Sequence, residues 1–458
     1  MEDEVDIYGF ADYGLKLAQN KSSNLKCAEI FFNKKSYISI EVEENSVKNN
    51  ETGKDQGVSI RVIDNRGSLG FAFSNRLEKT SIEKIIDNAI KMMRSGTEDS
   101  DFIDLPSHYT NYPEVKGLYD DNLKNLEIEE SIKYVEGLIN VCNEEICAIS
   151  QTADFTTAYS KMYIFNTNGL EIKSRETICR ISSNIIVKDE VTKETSFGYD
   201  WQYERNLKSI DAISVAENAL EDAKRNLNRI KIKNMKVPLI LTPRGTIGLI
   251  LNPISSAING ETFQYKRSFL VDKRNEVLGS HYLSIEDNGL IDGALGSSSF
   301  DGEGVPCKNK KIFENGKFLK DGLLHNSYTA GKEGIESTGN ASRKSYTYTP
   351  NISITNFMLK PGDYAKEEMI KEIKEGIILD YTGDSPNIAT GDFSGLILHG
   401  NLIINGEIKD PLNETMIGIN MLDLFKKIDA VSKESKIYGA YQAPYVRIKD
   451  VNVIGSAN

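Results

Sequence analysis

The stretch Arg244–Leu270, RGTIGLILNPISSAINGETFQYKRSFL, constrains the fold more than any other part of the chain. It follows a strand-like run, Val237–Leu241. A Thr242-Pro243 pair then suits a helix start, with threonine as N-cap and proline at the first helical position. Ile247, Ile250, Leu251, Ile254 and Ile258 recur at three- and four-residue intervals, which predicts a helix over about 244–259 with one apolar face. Gly248, Ser255, Ser256 and Ala257 thin its flank for close packing, and Asn259-Gly260 ends it. Pro253 interrupts the pattern and predicts a kink or a break. Such a helix must be surrounded. It holds no histidine and no cysteine, and the only carboxylate of the stretch, Glu261, lies past its end.

A chain of 458 residues exceeds one small core, so two or three domains are expected. A basic run, Lys224–Lys236, precedes the strand before the helix and is read as a solvated linker. It divides residues 1–232 from residues 233–458. The first part predicts helices over 6–19, Ser81–Arg94, about Asn125 to Cys142, and 209–227, each with an apolar face. Strands are predicted over Ala28–Phe32, Tyr37–Val42, Gly57–Asp64, Gly67–Ser74, Ile146–Ala153, Lys161–Asn166, Leu170–Ser174 and Thr177–Lys188. Asn65-Arg66-Gly67 and Asn166–Gly169 are the turn signals, and Ser196–Trp201 is assigned to a turn region. The second part is richer in glycine and short strands, with helical segments only at Tyr364–Glu375 and Met421–Val431, and it ends on an alternating strand, Tyr445–Ile454. The fold class is therefore α+β. Its N-terminal domain is a sheet with helices on one face, and its C-terminal domain a curled or barrel-like β-sheet around the central helix.

Charge and composition exclude several functions. A net charge of −12 argues against nucleic acid as a partner, because phosphate binding needs basic clusters. No apolar run approaches the roughly 18 residues of a membrane span, and MEDEVDIYGFADYG lacks the basic start of a signal peptide, so a cytoplasmic protein with no membrane partner is expected. The cysteines at 27, 142, 147, 179 and 307 form no CxxC pair and read as reduced, buried thiols. The histidines at 108, 281, 325 and 399 stand too far apart in sequence for a helix-borne zinc pair. Glycine clusters at 300–306, 331–334, 337–343 and 390–395 lack the lysine–hydroxyl ending of a phosphate loop. Asp301 and Glu303 form a carboxylate pair suited in principle to acid–base work, though such alternation in a tight turn more often faces solvent. The residues alone declare no active site.

Taken in order, five motifs resemble the C-terminal half of the TldD/PmbA (TldE) family, once called modulators of DNA gyrase. They are AINGETFQYKRSFL at 257–270, FDGEGVP at 300–306, STGNASR at 337–343, LKPGD at 359–363 and TGDFSG at 390–395. GVSIRV at 57–62 and FNTNGL at 165–170 extend the likeness across nearly the whole chain. The resemblance implies a two-domain fold and a paired assembly in which a zinc-peptidase subunit, TldD, and its TldE/PmbA partner enclose unfolded peptides. The peptidase subunit carries HExxxH on its zinc helix. Anchored on Gly260, its histidines correspond to Leu251 and Ser256 here, and its glutamate to Asn252. A further cysteine ligand is expected near the C-terminus, and Lys436–Pro444 offers none.

The likeness is thus to the non-catalytic TldE/PmbA-type subunit, which implies no metal and no catalytic residue in this chain and zinc in the partner. The implied partners are a TldD-type HExxxH subunit, or a second copy in a homodimer, and an unfolded peptide. Asp301, Glu303, Gly304, Asn340, Arg343, Asp392 and Ser394, on the glycine-rich loops, are the expected peptide or partner contacts. Two other functions compete: a self-sufficient metallopeptidase whose site assembles from His281, His325 and His399, and a regulator-binding module such as a gyrase modulator.

Overall fold

In the computed structural model, which describes residues 6–457, the first half builds one antiparallel sheet. Its strands are β1 (Leu25–Glu43), β2 (Ser46–Asp64), β3 (Leu69–Ser74), β4 (Ala148–Asn166), β5 (Glu171–Lys188) and β6 (Thr195–Glu204). They lie in the order β3-β2-β1-β4-β5-β6. The two strands expected within 28–42 are one, and those at 146–153 and 161–166 likewise merge into β4. The reason is pairing: Asn33–Ser36, polar enough to read as a break, pairs with β2 on one side and β4 on the other. A strand with both ladders filled has its backbone polar groups satisfied whatever its side chains are. For the same reason Ser196–Trp201 is not a turn but the middle of β6, paired residue by residue with β5.

Helices Ile7–Lys21, Lys79–Ser95, Ile128–Asn143 and Ala212–Arg225 bring apolar stripes to this sheet. Ile82, Ile86 and Ala89 pack on Val58, Ile60 and Val62, and Val135, Val215 and Ala216 on Phe155 and Ile181. The last helix comes so near β6 that a Cβ on Gly198 would stand 2.0 Å from the Ala219 carbonyl oxygen. The side chains of Phe197, Tyr199, Trp201 and Tyr203, alternating with Gly198 and Asp200, are left on the opposite face, toward the second domain.

The second sheet closes on itself. β7 (Met235–Leu241) runs parallel to Glu375–Thr382 and antiparallel to Tyr441–Ile454. Asp392–Ile404 and Met416–Asn420 complete the ring between those two, giving a five-stranded barrel. Short strands at Ile285–Asn288, Asn309–Glu314 and Phe357–Leu359 extend the sheet beyond it.

The central helix starts as its sequence requires. The Thr242 hydroxyl accepts from the Gly245 N–H at 3.3 Å, and Pro243 occupies the first turn. Residues Ile247–Leu251 form a widened i→i+5 turn before regular helix resumes over Asn252–Ala257. Pro253 has no N–H to donate and its ring crowds the carbonyl one turn earlier, so the expected kink or break takes the form of this wider turn. Leu249, Ile250, Leu251, Ile254, Ala257 and Ile258 are buried in one cluster with Leu239, Leu241, Leu379, Val446 and Ile448 of the barrel. Each such leucine or isoleucine contributes roughly 1.5–3 kcal/mol by leaving water.

All five cysteines are free. Burial pushes the Cys27, Cys179 and Cys307 thiols up to about 12, which leaves them protonated and unreactive at neutral pH. No helix among the described residues is long and apolar enough to cross a membrane.

Candidate functional site at the domain boundary

Five of the seven expected contact residues lie together, buried where the domains meet. The Glu29 carboxylate on β1 receives the Arg61 guanidinium through two bonds of 2.9 Å and also pairs with Arg343. Arg61 reaches on to Glu303 at 2.7 Å, and Arg343 donates to the Gly302 carbonyl at 2.7 Å. Two carboxylates and two guanidiniums, Glu29 and Arg61 from the first domain and Glu303 and Arg343 from the second, therefore balance across the boundary. Asp301 accepts from the N–H groups of Glu303, Val305 and Ala341 at 2.9–3.0 Å and so shapes the loop. Burial and the Glu303 carboxylate nevertheless push Asp301 up to about 7. Gly304, at φ +81°, presents its carbonyl to the Tyr112 hydroxyl, and Asn340 donates to buried Asp287 at 2.8 Å. These side chains hold loops and domains together rather than face solvent. Asp392 and Ser394 are exposed on another strand, with Asp392 accepting from Asn420 at 2.9 Å, and they are not brought to the other five.

A cleft of about 770 Å³ opens between β5 and β6 of the first domain and the central helix and barrel strands of the second. Phe197, Tyr199, Trp201, Tyr381, Tyr438 and Tyr441 line it. Trp201 stacks on Tyr199 at 5.0 Å and meets Tyr438 at 4.9 Å. One wall is His399, whose ring lies 4.5 Å from that of Phe197. Its Nδ1 is 3.2 Å from Asp222 Oδ2, while its Nε2 is buried with no hydrogen-bond partner among the described residues. Arg244, in the first turn of the central helix, donates to Asp222 at 2.9 Å and to Asp380, and the N-cap Thr242 hydroxyl also donates to Asp380.

Burial alone would raise Asp222. The His399 hydrogen bond and the Arg244 charge reverse this and hold it well below the usual carboxylate range. Asp222, Asp380 and His399 offer ligand atoms within 4.8 Å of one another, but Arg244 already supplies the positive charge between the two carboxylates. The dispersed set of His281, His325 and His399 does not assemble. His281 is exposed beside Tyr282, His325 is buried against Thr329 at 3.1 Å, and His399 stands at Asp222.

The central helix borders the same cleft with Gly248 and Asn252. Asn252 Oδ1 accepts from the Tyr441 hydroxyl at 2.6 Å, and the Ser255 hydroxyl lies 3.4 Å from the Tyr441 hydroxyl oxygen. Leu251 points into the core with none of its surface exposed, and Ser256 faces outward. The turn at Tyr438–Tyr441, within the segment 436–444, is thus bonded directly to the helix.

Residues 28–93, 121–227 and 234–455 match domain 1, the central domain and the C-terminal domain of the PmbA/TldA metallopeptidases. The chain belongs to the PmbA/TldD family. A metalloprotease of Methanocaldococcus jannaschii is 28% identical over 417 residues, 88% of each chain. A metalloprotease PmbA homolog of Buchnera aphidicola is 25% identical over 99% of this chain and 98% of its own. The crystal structure of TldE from Thermococcus kodakarensis has the same fold, with a TM-score of 0.85 at 23% identity over 98% of this chain and 100% of the other.

In this PmbA/TldD-family chain, sequence reasoning missed the aromatic wall and the Arg244–Asp222–Asp380–His399 cluster. Phe197, Tyr199, Trp201 and Tyr203 alternate at period two, which is a strand signal that the assignment to a turn overlooked. The cluster had no local signal, because its members come from four separate elements.

Proposed function

We propose that this chain is the TldE/PmbA-type partner subunit of a TldD-type zinc metallopeptidase complex, helping to enclose and process unfolded peptides without holding the metal itself. The observation that carries this reading is the donor set on the central helix. Zinc hydrolysis needs three protein ligands drawn from imidazole, thiolate and carboxylate, with an open position for water. At the positions that correspond to the zinc motif stand Leu251, Asn252 and Ser256, and Leu251 is committed to the core. Tyr441 occupies Asn252 from the C-terminal segment in which a cysteine ligand was expected. These residues do not fit zinc. What they do is join the helix to the barrel's last hairpin, so the role left to the helix is scaffold.

The cleft beside it, aromatic and open between the domains, offers surface suited to an extended peptide rather than a reacting centre. Metal analysis of the purified chain tests the reading: zinc well below stoichiometric is expected, and stoichiometric zinc with chelator-sensitive peptide cleavage by this chain alone would overturn it.

A further inference from the structure

The interdomain cleft carries three features that converge on one kind of ligand. The first is a pair of unused acceptors. His399 is 2% exposed, its Nδ1 is turned to the Asp222 carboxylate, and the residue lines the cleft beside Phe197. When the imidazole is neutral with its proton on the nitrogen that faces the carboxylate, Nε2 presents a lone pair. That atom is buried without a partner among the described residues, and so is Oδ1 of Asn184, a residue that lines the same cleft from β5. A buried acceptor left unpaired is costly, and a ligand donor would satisfy it. The second feature is charge. Asp380 and Asp384 line the cleft against Arg244 alone, Arg244 is already bonded to Asp222 and Asp380, and Asp222 stands directly behind His399. The third is the wall itself, whose tyrosine and tryptophan faces attract cations.

We infer that this cleft binds the guanidinium or ammonium group of an arginine or lysine side chain in an extended peptide, with His399 and Asn184 accepting its hydrogen bonds and the aromatic wall covering its stem. An anion would meet two carboxylates and two acceptors, and a purely apolar side chain would leave both acceptors unpaired. The inference rests on the peptide-handling reading only for what carries the charge, since the site lies wholly within one chain and needs no partner subunit.

Trp201, the single tryptophan of the chain, lines the cleft and reports on it directly. The test is a fluorescence titration of the full-length isolated chain with acetyl-Gly-Gly-Arg-Gly-Gly-amide and with the same peptide carrying citrulline, which keeps the shape and loses the charge. A saturable change with the arginine peptide is expected, and binding about tenfold weaker or worse with citrulline, the scale of one charge-assisted hydrogen bond. Free arginine amide, in a third arm, should bind no more tightly than the capped peptide; tighter binding would assign the site to a small-molecule amine instead and overturn the peptide part. Equal titration by both peptides, or no saturable change with arginine, would overturn the inference. His399→Leu should weaken the arginine response. Should that variant not fold, Asn184→Leu removes an acceptor that has no partner among the described residues and should weaken it too; unchanged binding in a folded variant of either kind would refute the assignment. Failure here leaves the metal content and pairing of the chain untouched, so it is distinguishable from failure of the proposed function.

Discussion

Replacing Arg343 by methionine, which preserves much of the volume and removes the charge, isolates what the STGNASR motif does. Arg343 and Glu29 each have a side chain 1% exposed, so neither charge has water to fall back on. In the wild type, two guanidiniums serve two carboxylates; after the change, Arg61 alone faces both Glu29 and Glu303. The Gly302 carbonyl also loses its donor. Removing one partner of a buried pair costs about 3–5 kcal/mol, because the remaining charge stays desolvated. Urea unfolding followed by Trp201 emission and by circular dichroism should register that loss.

The second half of the cycle sharpens the test. Arg343→Met with Glu29→Met removes both charges and should regain most of the stability. The pH dependence gives an independent check. Burial alone would raise the Glu29 carboxyl, but Arg343 and Arg61 together lower it below its ordinary value. A carboxyl lowered in the folded state stabilises above its unfolded pKa, and that contribution fades as pH falls through the folded value. The single variant should therefore lose less on acidification than the wild type. A loss below about 1 kcal/mol for Arg343→Met, the scale of an exposed ion pair, would refute a buried interdomain latch.

Three further outcomes are expected. His325 is held down at about 4, chiefly by burial, against 6.5 in the unfolded chain. Its contribution to stability is complete above about 6.5 and is lost as pH falls toward 4, up to about 3 kcal/mol; denaturation of wild type and His325→Gln across that window should show a flatter profile in the variant. Ile250→Ala, at a position with no exposed surface, should cost about 2–5 kcal/mol in urea unfolding, and a cost under about 1 would contradict the packing role of the helix. Leu251→His with Asn252→Glu and Ser256→His restores the written motif but puts an imidazole into the core and supplies no third ligand. The triple variant should be less stable and inactive on peptides, and robust zinc-dependent cleavage by it would refute the scaffold reading.

The parts of the fold legible in the sequence were those with local causes. Thr242-Pro243 and the isoleucine spacing located the central helix, and Asn65-Arg66-Gly67 located a hairpin whose Gly67 has φ +78°. Long strands read as shorter ones in the sequence where polar residues such as Asn33–Ser36 interrupt them, because ladder partners distant in sequence decide whether a strand continues. The glycine-rich motifs pointed to residues that do gather, but their burial depends on Glu29 and Arg61 of the other domain, which no local pattern announces. In the sequence alone His399 reads only as a candidate metal ligand. Its actual neighbours, Asp222 and Phe197, lie about two hundred residues earlier, beyond any periodicity argument.

As the proposed partner subunit, this chain would complete a peptidase rather than be one. Co-expression with an HExxxH homologue from the same genome, followed by purification and an unfolded-peptide cleavage assay with and without chelator, tests it most directly. The expected result is a stable complex whose zinc-dependent cleavage requires both chains. Failure to associate, or the same cleavage by the HExxxH chain without this one, would contradict it.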